Sequence, residues 1–340
     1  MVLTMAADEP VQRPVYLPQG VADPRGRGGY VSSSSGEIVA VELATGGLLW
    51  TTRNASKPLI VHEGRLLALR QLNKRGTLVQ IVALDAEGAQ VLESERVMLP
   101  DGVDIDGGED STTVEVYVTL GSLVLDWEAH LRYGGGAPPP PYVQERYTKD
   151  VRGGVRVHLQ SGKVEALRPG ETRAAGARLQ GEESDSSAVR VWTVGGRDTA
   201  LLSRVANNEV AYYLKSSGHS QKAPPSEVEL VAGEAIVPYV TPDGLYVFFH
   251  REGPATTDRG VDNRWLIFSS ETAERVAVVT REDGAAQPCV LKPNVYYLLE
   301  TRVGSHIRCA LKAREMSTDR ILWERPLSET VVSAPPELRR

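Results

Sequence analysis

Polar and apolar residues alternate in short runs along the chain, and each run stops at a turn signal. Residues 40–50 read AVELATGGLLW, and residues 313–323 read AREMSTDRILW. In both segments an alternating strand enters a tight turn, and an apolar strand that closes on tryptophan leaves it. A period of two on either side of a tight turn is typical of a β-hairpin. The same hairpin is therefore expected at two places 273 residues apart.

Weaker copies of this turn lie between the two segments. In chain order, the equivalent turn positions hold Gly46, Gly88, Gly162, Gly218, Ala273 and Asp319. Each of these residues tolerates a positive φ or hydrogen-bonds its own backbone, as a hairpin between antiparallel strands requires. The six turn positions predict six repeated units.

A second landmark precedes the turns. Residues 13–20 (RPVYLPQG) and 57–64 (KPLIVHEG) are short apolar runs that contain proline, end on a turn signal and are followed by a further strand. Each unit then has four short strands, which is the sequence signature of a β-propeller blade. We predict an all-β chain that forms a single β-propeller of six four-stranded blades, with loop insertions in blades three to five. Seven blades are the alternative.

The strand pair around each turn resembles the PQQ-like (quinoprotein-type) β-propeller repeat. That repeat passes through an Ala-Leu-Asp-x-x-Thr-Gly turn into a Leu-x-Trp strand. The first unit (YVSSSSGEIVAVELATGGLLW) and the last (CALKAREMSTDRILW) match best, and IVALDAEG matches in part. The middle units have lost the closing tryptophan, since Ala166 stands at the position equivalent to Trp50. The resemblance covers roughly residues 13–330 and implies a fold, which does not by itself imply a function.

The resemblance does not carry a quinone cofactor with it. Quinoprotein dehydrogenases have eight blades, a chain nearly twice as long, and vicinal cysteines near the quinone. Here Cys289 and Cys309 are 20 residues apart. The blade arrangement places one strand between them, which argues against a disulfide because its two Cα atoms must lie close together. We expect no PQQ and no other cofactor.

The repeat also predicts the domain organisation. A tail (1–12) precedes the propeller (13–330), and residues 331–340 form a tail or a closing strand. The predicted blades cover about 13–55, 56–97, 98–168, 169–232, 233–281 and 282–330. Residues 331–334 (VVSA) are one candidate for an added strand in the first blade, and residues 13–20 are the favoured one. Trp50 and Trp323 are expected to pack between neighbouring blades.

Composition and charge limit the classes of binding partner and the cellular compartments that we expect. The net charge of −6 gives no basic footprint, so we expect no nucleic-acid partner. No apolar run approaches the length of a membrane span. The first residues, MVLTMAADEPVQRP, lack the basic start and apolar core of a signal peptide. Together with two thiols that are expected to be buried, this favours the cytoplasm. Export with a leader that the sequence does not show is the alternative.

The longest spacing between turns places an insertion of about 30 residues in the third unit, after the strand at residues 112–120. We interpret residues 122–133 (SLVLDWEAHLRY) as a strand that pairs outside the blade, and residues 134–150 (GGGAPPPPYVQERYTKD) as a proline-rich loop. Further excursions cover 168–186 and 252–263. In a propeller, loops from strand two to three and from blade to blade emerge on one face. The three excursions are therefore expected in one sector of that face.

These excursions are rich in aromatic residues and arginine, the types enriched in interface hot spots. We predict that they bind a protein partner. The candidate residues are Trp127, His130, Arg132, Tyr133, Tyr142, Arg146, Tyr147, His250, Arg251 and Arg259. A tolerated insertion that packs on its own blade is the competing interpretation.

Candidate catalytic groups are few. The six histidines form no zinc-binding spacing, so no metal site is predicted. Residues 101–110 (DGVDIDGGED) depart from the calcium-loop pattern and are interpreted as an acidic turn. Residues 24–29 (PRGRGG) form a basic glycine-rich loop that could touch phosphate but lacks a following helix. The sequence therefore favours a non-catalytic scaffold. The alternative is an enzyme or small-molecule-binding propeller with a site in the central channel, where His250 or His130 would carry protons.

Overall fold

The described residues fold into β-strands joined by turns and short loops, and none of them is helical. In this computed structural model they are residues 11–100, 103, 112–131, 149–167, 186–194, 197–206, 209–217, 227–233, 238–241, 244–252, 263–281, 289–292, 295–302 and 306–331. The strands group into six antiparallel sheets within this part of the chain. The all-β prediction is confirmed. The chain divides into two units, Met1–Gly176 and Ala177–Arg340.

The first unit contains three sheets. The first sheet holds β1 (Val15–Leu17), β2 (Gly20–Ala22), β3 (Gly28–Ser32), β4 (Ile38–Glu42) and β5 (Leu48–Thr52). The second holds β6 (Lys57–His62), β7 (Arg65–Gln71), β8 (Leu78–Leu84), β9 (Gln90–Glu93) and β10 (Val97–Met98). The third holds β11 (Thr112–Thr119), β12 (Ser122–Leu131), β13 (Lys149–His158) and β14 (Val164–Leu167). Strands pair in chain order, except that β9 and β10 both pair with β8.

The second unit contains three four-stranded sheets, each paired in chain order. The fourth sheet holds β15 (Ser186–Val194), β16 (Arg197–Ala206), β17 (Glu209–Ser217) and β18 (Glu227–Gly233). The fifth holds β19 (Pro238–Val240), β20 (Tyr246–Glu252), β21 (Asn263–Ser269) and β22 (Arg275–Arg281). The sixth holds β23 (Cys289–Lys292), β24 (Val295–Arg302), β25 (His306–Glu315) and β26 (Ile321–Val331).

Two strand assignments from the sequence were wrong. The first two sheets have five strands where four were predicted. In the first sheet the predicted turn at the end of residues 13–20 is present, since Gln19 has a φ of 56°, and the additional strand is β2, which pairs with both β1 and β3. Residues 122–131 form β12, which pairs on both sides with β11 and β13 inside the third sheet. They do not pair outside it, because the alternating side chains of Leu123, Leu125 and Trp127 belong to the buried core.

The repeated turn is confirmed at the residue level. Five of the six equivalent positions have a positive φ: Gly46 (70°), Gly88 (81°), Gly162 (71°), Ala273 (58°) and Asp319 (57°). Gly218 lies outside the described residues. In four of the five turns the turn residue donates its N–H to the carbonyl four residues earlier. At Gly88 the bond reaches Asp85, three residues earlier, at 3.1 Å.

A row of three residues across the strands explains why the two best repeats look alike. In the first sheet Tyr30, Ala40 and Trp50 pair across β3, β4 and β5, and the two rings lie 5.6 Å apart between centroids. In the sixth sheet Tyr297, Ala313 and Trp323 repeat this row with 5.9 Å between the rings. A β-bulge beside each tryptophan places it opposite the alanine. The fully buried alanine leaves room for both rings to close over it.

Within each unit, neighbouring sheets pack on each other through apolar side chains. One buried cluster joins the first and second sheets, and another joins the second and third. In the second unit, two clusters join the fourth sheet to the fifth and the fifth to the sixth. Burial of these faces is the main favourable term that holds adjacent sheets together. None of the described residues forms a helix of the length and apolarity that a membrane crossing needs.

Trp50 packs between neighbouring sheets, as predicted. Its Nε1 donates to the Ala86 carbonyl of the second sheet at 2.8 Å. The turn beneath it carries Gly88, where an added Cβ would lie 2.7 Å from the indole ring. A similar contact occurs in the second unit, where Trp192 Nε1 donates to the Gly244 carbonyl at 2.8 Å. The Trp323 ring contacts Tyr297 of its own sheet.

The two cysteines lie as the blade arrangement predicted. Cys289 in β23 pairs with Tyr297, and Cys309 in β25 pairs with Thr301. Both partners belong to β24, which therefore separates the two thiols. These two cysteines do not form a disulfide.

Candidate functional site

The predicted partner-binding residues lie in β12, in β20 and in the segments of the chain that follow these two strands. Six of them, Arg132, Tyr133, Tyr142, Arg146, Tyr147 and Arg259, lie outside the described residues. The backbone positions of His130 and Arg251 are described at the ends of their strands. The side chains of Trp127 and His250 are described as well, and they lie in different environments.

Trp127 is a core residue of the third sheet. It is 6 % exposed and belongs to the buried cluster that joins the second and third sheets. It pairs directly with Gly153 in β13, where an added Cβ would lie 3.1 Å from the indole. A glycine at this position gives the indole the space to lie flat on the neighbouring strand. Trp127 therefore holds the strand from which the connection starts, and its ring is not available to a partner.

The connection after β12 starts from a fully paired ladder. Strands β12 and β13 pair without interruption from Ser122 opposite His158 to Leu131 opposite Lys149. An ion pair between Arg152 and Glu128, which face each other across the two strands, crosses the same ladder. The segment at residues 132–148 is thus anchored at both ends on adjacent positions of a regular antiparallel pair.

The connection after β20 also starts from a paired antiparallel ladder, and here two stacked aromatic rings lie near its start. His250 and Trp265 are paired across β20 and β21, and their rings stack with centroids 4.6 Å apart at an angle of 26°. Trp265 is 9 % exposed and packs into the cluster between the fifth and sixth sheets, whereas His250 is half-buried. The imidazole therefore lies flat on a fixed aromatic ring near the start of the segment at residues 253–262. In the described part of the chain, no group of three His, Cys, Asp or Glu side chains could hold a metal ion.

A cleft of about 680 Å³ opens in the first unit, between the first sheet and two turns of the second. One wall comes from the β2–β3 turn and the ends of β3, β4 and β5, and the other from the β6–β7 and β8–β9 turns. The lining residues are Gln12, Asp23, Pro24, Arg25, Arg27, Gly28, Tyr30, Glu42, Leu49, Val61, Glu63, Gly64 and Ala86. The sequence analysis had identified residues 24–29 as a candidate phosphate-contacting loop. It did not identify the other residues that line the cleft.

The basic loop at residues 24–29 is a tight turn. Asp23 Oδ1 accepts from the Arg25 N–H at 3.0 Å, and the Asp23 carbonyl accepts from the Gly26 N–H at 2.7 Å. Gly26 has a φ of 66°, which glycine adopts without a steric penalty. The turn closes with a bond from the Asp23 N–H to the Gly28 carbonyl at 2.8 Å. It holds the side chains of Arg25 and Arg27 exposed at the rim of the cleft.

The opposite wall is fixed by Gln12. Its backbone pairs with Val118 of the third sheet, and its Nε2 donates to the Val61 carbonyl at 2.7 Å. Because Nε2 is the donor, the amide oxygen Oε1 is the acceptor for His62 Nδ1, which lies at 2.6 Å. This assigns the ring proton of His62 to Nδ1. Gln12 thereby ties the segment before β1 to both other sheets of the unit.

Tyr30 lies deep in the cleft. It is 9 % exposed, and burial together with the nearby Asp23 carboxylate raises the pKa of its hydroxyl above the ordinary value. Its hydroxyl thus stays protonated and can donate a hydrogen bond. A Cβ added at Gly28 would lie 3.2 Å from this oxygen, so a glycine there leaves the hydroxyl uncovered. Among the described residues, no protein group hydrogen-bonds to it.

No protein-family model and no curated protein sequence matches the chain. The solved structures to which the chain is similar include a quinohemoprotein alcohol dehydrogenase from Pseudomonas putida, with 12 % sequence identity and a TM-score of 0.30. The alignment covers 88 % of this chain and 57 % of the dehydrogenase. They also include BamB from Moraxella catarrhalis (12 %, TM-score 0.26, coverage 89 % and 71 %). The WD40 domain of SCAP from fission yeast is a third (12 %, TM-score 0.30, coverage 84 % and 80 %). The chain spans little more than half the length of the dehydrogenase. These likenesses assign no role to any of its residues.

Proposed function

We propose that the chain is a non-catalytic scaffold that binds a protein partner through the segments after β12 and β20. The scaffold itself would be one closed β-propeller of six blades over residues 13–330, located in the cytoplasm. Support for the propeller comes from the repeated turn and from the apolar clusters that join each sheet to the next within each unit. A propeller requires such a turn and such packing to recur from blade to blade, and the described residues contain five of the turns and four of the clusters.

The observation that carries the binding proposal is the base of the segment at residues 132–148. The β12–β13 ladder is paired to its last position, Leu131 opposite Lys149, so the segment starts and ends on fixed backbone. Its sequence contains four consecutive prolines followed by Tyr142. Proline-rich stretches favour an extended, preorganised backbone, which lowers the entropy lost on binding. Long segments held on a rigid framework are where binding residues concentrate.

The segment at residues 253–262 is the second part of the proposed surface. It also joins the second and third strands of its sheet, β20 and β21. The two segments therefore occupy the same position within their own sheets. His250, stacked on Trp265 at the base, would then contribute a flat ring to the contact.

A deletion within the first segment tests this function. Removing residues 134–142 leaves the β12–β13 ladder in place, so the melting temperature should stay nearly unchanged. Partners captured by crosslinking to the full chain should be lost from the deletion variant. The matched control replaces Lys74 and Arg75, two exposed residues of the β7–β8 turn, with alanine and should keep them. Equal capture by the deletion variant and the full chain would overturn the proposal.

A further inference from the structure

We propose that the cleft of the first unit binds a small molecule that carries a carboxylate or phosphate group together with amino or hydroxyl groups. This site is separate from the segments after β12 and β20, and it does not depend on the proposed function. Its volume of about 680 Å³ lies within the range of small-molecule pockets.

The anionic group of the ligand is recognised by the β2–β3 turn. Arg25 and Arg27 alternate with glycines, and both side chains line the cleft. Neither guanidinium forms an ion pair or hydrogen bond with any other described residue. Arginine presents its donors in a planar fork that matches carboxylate and phosphate oxygens, and such charge-assisted bonds are about twice as strong as neutral ones. Because the turn is closed by its own hydrogen bonds, both side chains start from a fixed backbone.

The Tyr30 hydroxyl supplies a third donor at the floor of the cleft. The Tyr30 ring is buried while its hydroxyl faces the cleft, so the hydroxyl can donate a hydrogen bond to a ligand that replaces water there. Tyr30 is 9 % exposed, and its hydroxyl lies beside Gly28 where the cleft is open. An oxygen of a bound ligand would complete its hydrogen bonding.

The carboxylates of the cleft favour a ligand that carries ammonium or hydroxyl groups besides its anionic group. Asp23 is engaged in the turn, and Glu42 accepts a hydrogen bond from the Thr45 hydroxyl. Glu63 lies 3.9 Å from His62 across the cleft wall. Ionised carboxylates only accept hydrogen bonds, and each has several lone pairs to offer. They repel a plain anion and favour one that also presents ammonium or hydroxyl donors. Leu49, which is 52 % exposed, adds an apolar contact.

Titration of the full chain with four small probes tests this site. Phosphoethanolamine and β-alanine pair an ammonium with a phosphate or a carboxylate, whereas orthophosphate and acetate lack the ammonium. NMR titration should show saturable binding of at least one amino-bearing probe, with a Kd below about 10 mM. That probe should bind more tightly than its plain counterpart. Comparison of phosphoethanolamine with β-alanine identifies which acidic group the arginines prefer.

Variants separate the cleft from other surface charges. The Arg25→Gln/Arg27→Gln double variant should lose at least tenfold in affinity, and Glu42→Gln should reduce the preference for the amino-bearing probe. Arg75→Gln removes an equally exposed arginine that does not line the cleft, and it should bind as the original chain does. Both arginines are exposed, so these variants keep the fold, which an unchanged urea midpoint confirms. Absence of binding by both amino-bearing probes, or equal binding by the double variant, would overturn the proposal.

Discussion

At the scale of single residues, Gly88 carries two constraints, whereas Gly64 in the same unit carries only one. Its φ is 81°, a region in which a side chain is strained, and an added Cβ would lie 2.7 Å from the Trp50 ring. Gly64 has a similar φ of 76°, but an added Cβ there meets nothing within 4 Å. The two positions therefore form a matched pair, in which only Gly88 supports a neighbouring sheet.

Alanine substitutions at this pair measure the contact between sheets. Gly64→Ala carries only the cost of a left-handed conformation, about 1–2 kcal/mol. Gly88→Ala carries the same cost and also displaces the indole, which adds about 1–3 kcal/mol. Urea unfolding should therefore rank Gly88→Ala as clearly the more destabilising of the two. Equal losses would show that the Trp50 ring does not press on this turn in solution.

The turn residues were predictable from the sequence, whereas the burial of single side chains was not. Ala273 and Asp319 were assigned to the same position as Gly46 because the hairpin demands a particular backbone conformation there, and their φ values agree. Trp127 was placed in a binding surface because aromatic residues are common there. Its burial depends on Gly153, 26 residues away, whose lack of a side chain makes room for the indole. No local pattern encodes such a pair.

At the scale of the elements, the first, fifth and sixth sheets fill the equivalent row of three cross-strand residues in two different ways. The first and sixth sheets place a small alanine between Tyr and Trp, as in the row Tyr30, Ala40 and Trp50. The equivalent row of the fifth sheet is Phe248, Ile267 and Ala277, with a bulge at the same place. The large residue has moved from the outer strand to the middle one. The larger residue on the middle strand offsets part of the volume that alanine leaves open on the outer strand.

A double-mutant cycle in the first sheet tests this exchange. Ala40→Ile alone should overpack the row and cost about 1–3 kcal/mol. Trp50→Ala alone should leave a void and lose the bond to Ala86, at a cost below the 3–5 kcal/mol typical of a fully buried tryptophan. The double variant should be more stable than the sum of the two changes by at least about 1 kcal/mol, measured by urea unfolding. Strict additivity would show that the row does not pack as a unit.

Strand type and order were predictable at this scale, and strand number per sheet was not. Alternating runs bounded by turn signals identified most of the strands, including β24, which separates the two cysteines. The fifth strand of the first sheet is β2, which has only three residues and was not recognised between the turn at Gln19 and the basic loop. The place of β12 was missed because the same alternating pattern fits a central strand and an outlying one. Pairing partners decide between them, and these come from tertiary structure.

At the scale of the whole molecule, one wall of the candidate cleft could be recognised from the sequence and the other could not. The loop with Arg25 and Arg27 was recognised as basic and glycine-rich. Its opposite wall comes from Gln12, Glu63 and Ala86, which approach it only because the first two sheets pack together. The segments proposed to bind a partner were found because they interrupt the repeat, which is a property of the sequence itself.

The proposal that all six sheets form one closed propeller is tested most directly by small-angle X-ray scattering of the full chain. A single globular body of 340 residues has a radius of gyration of about 20 Å. The propeller predicts a value close to this, with one symmetric peak in the distribution of interatomic distances. A clearly larger radius, with a second peak or shoulder from two bodies joined end to end, would contradict a closed ring.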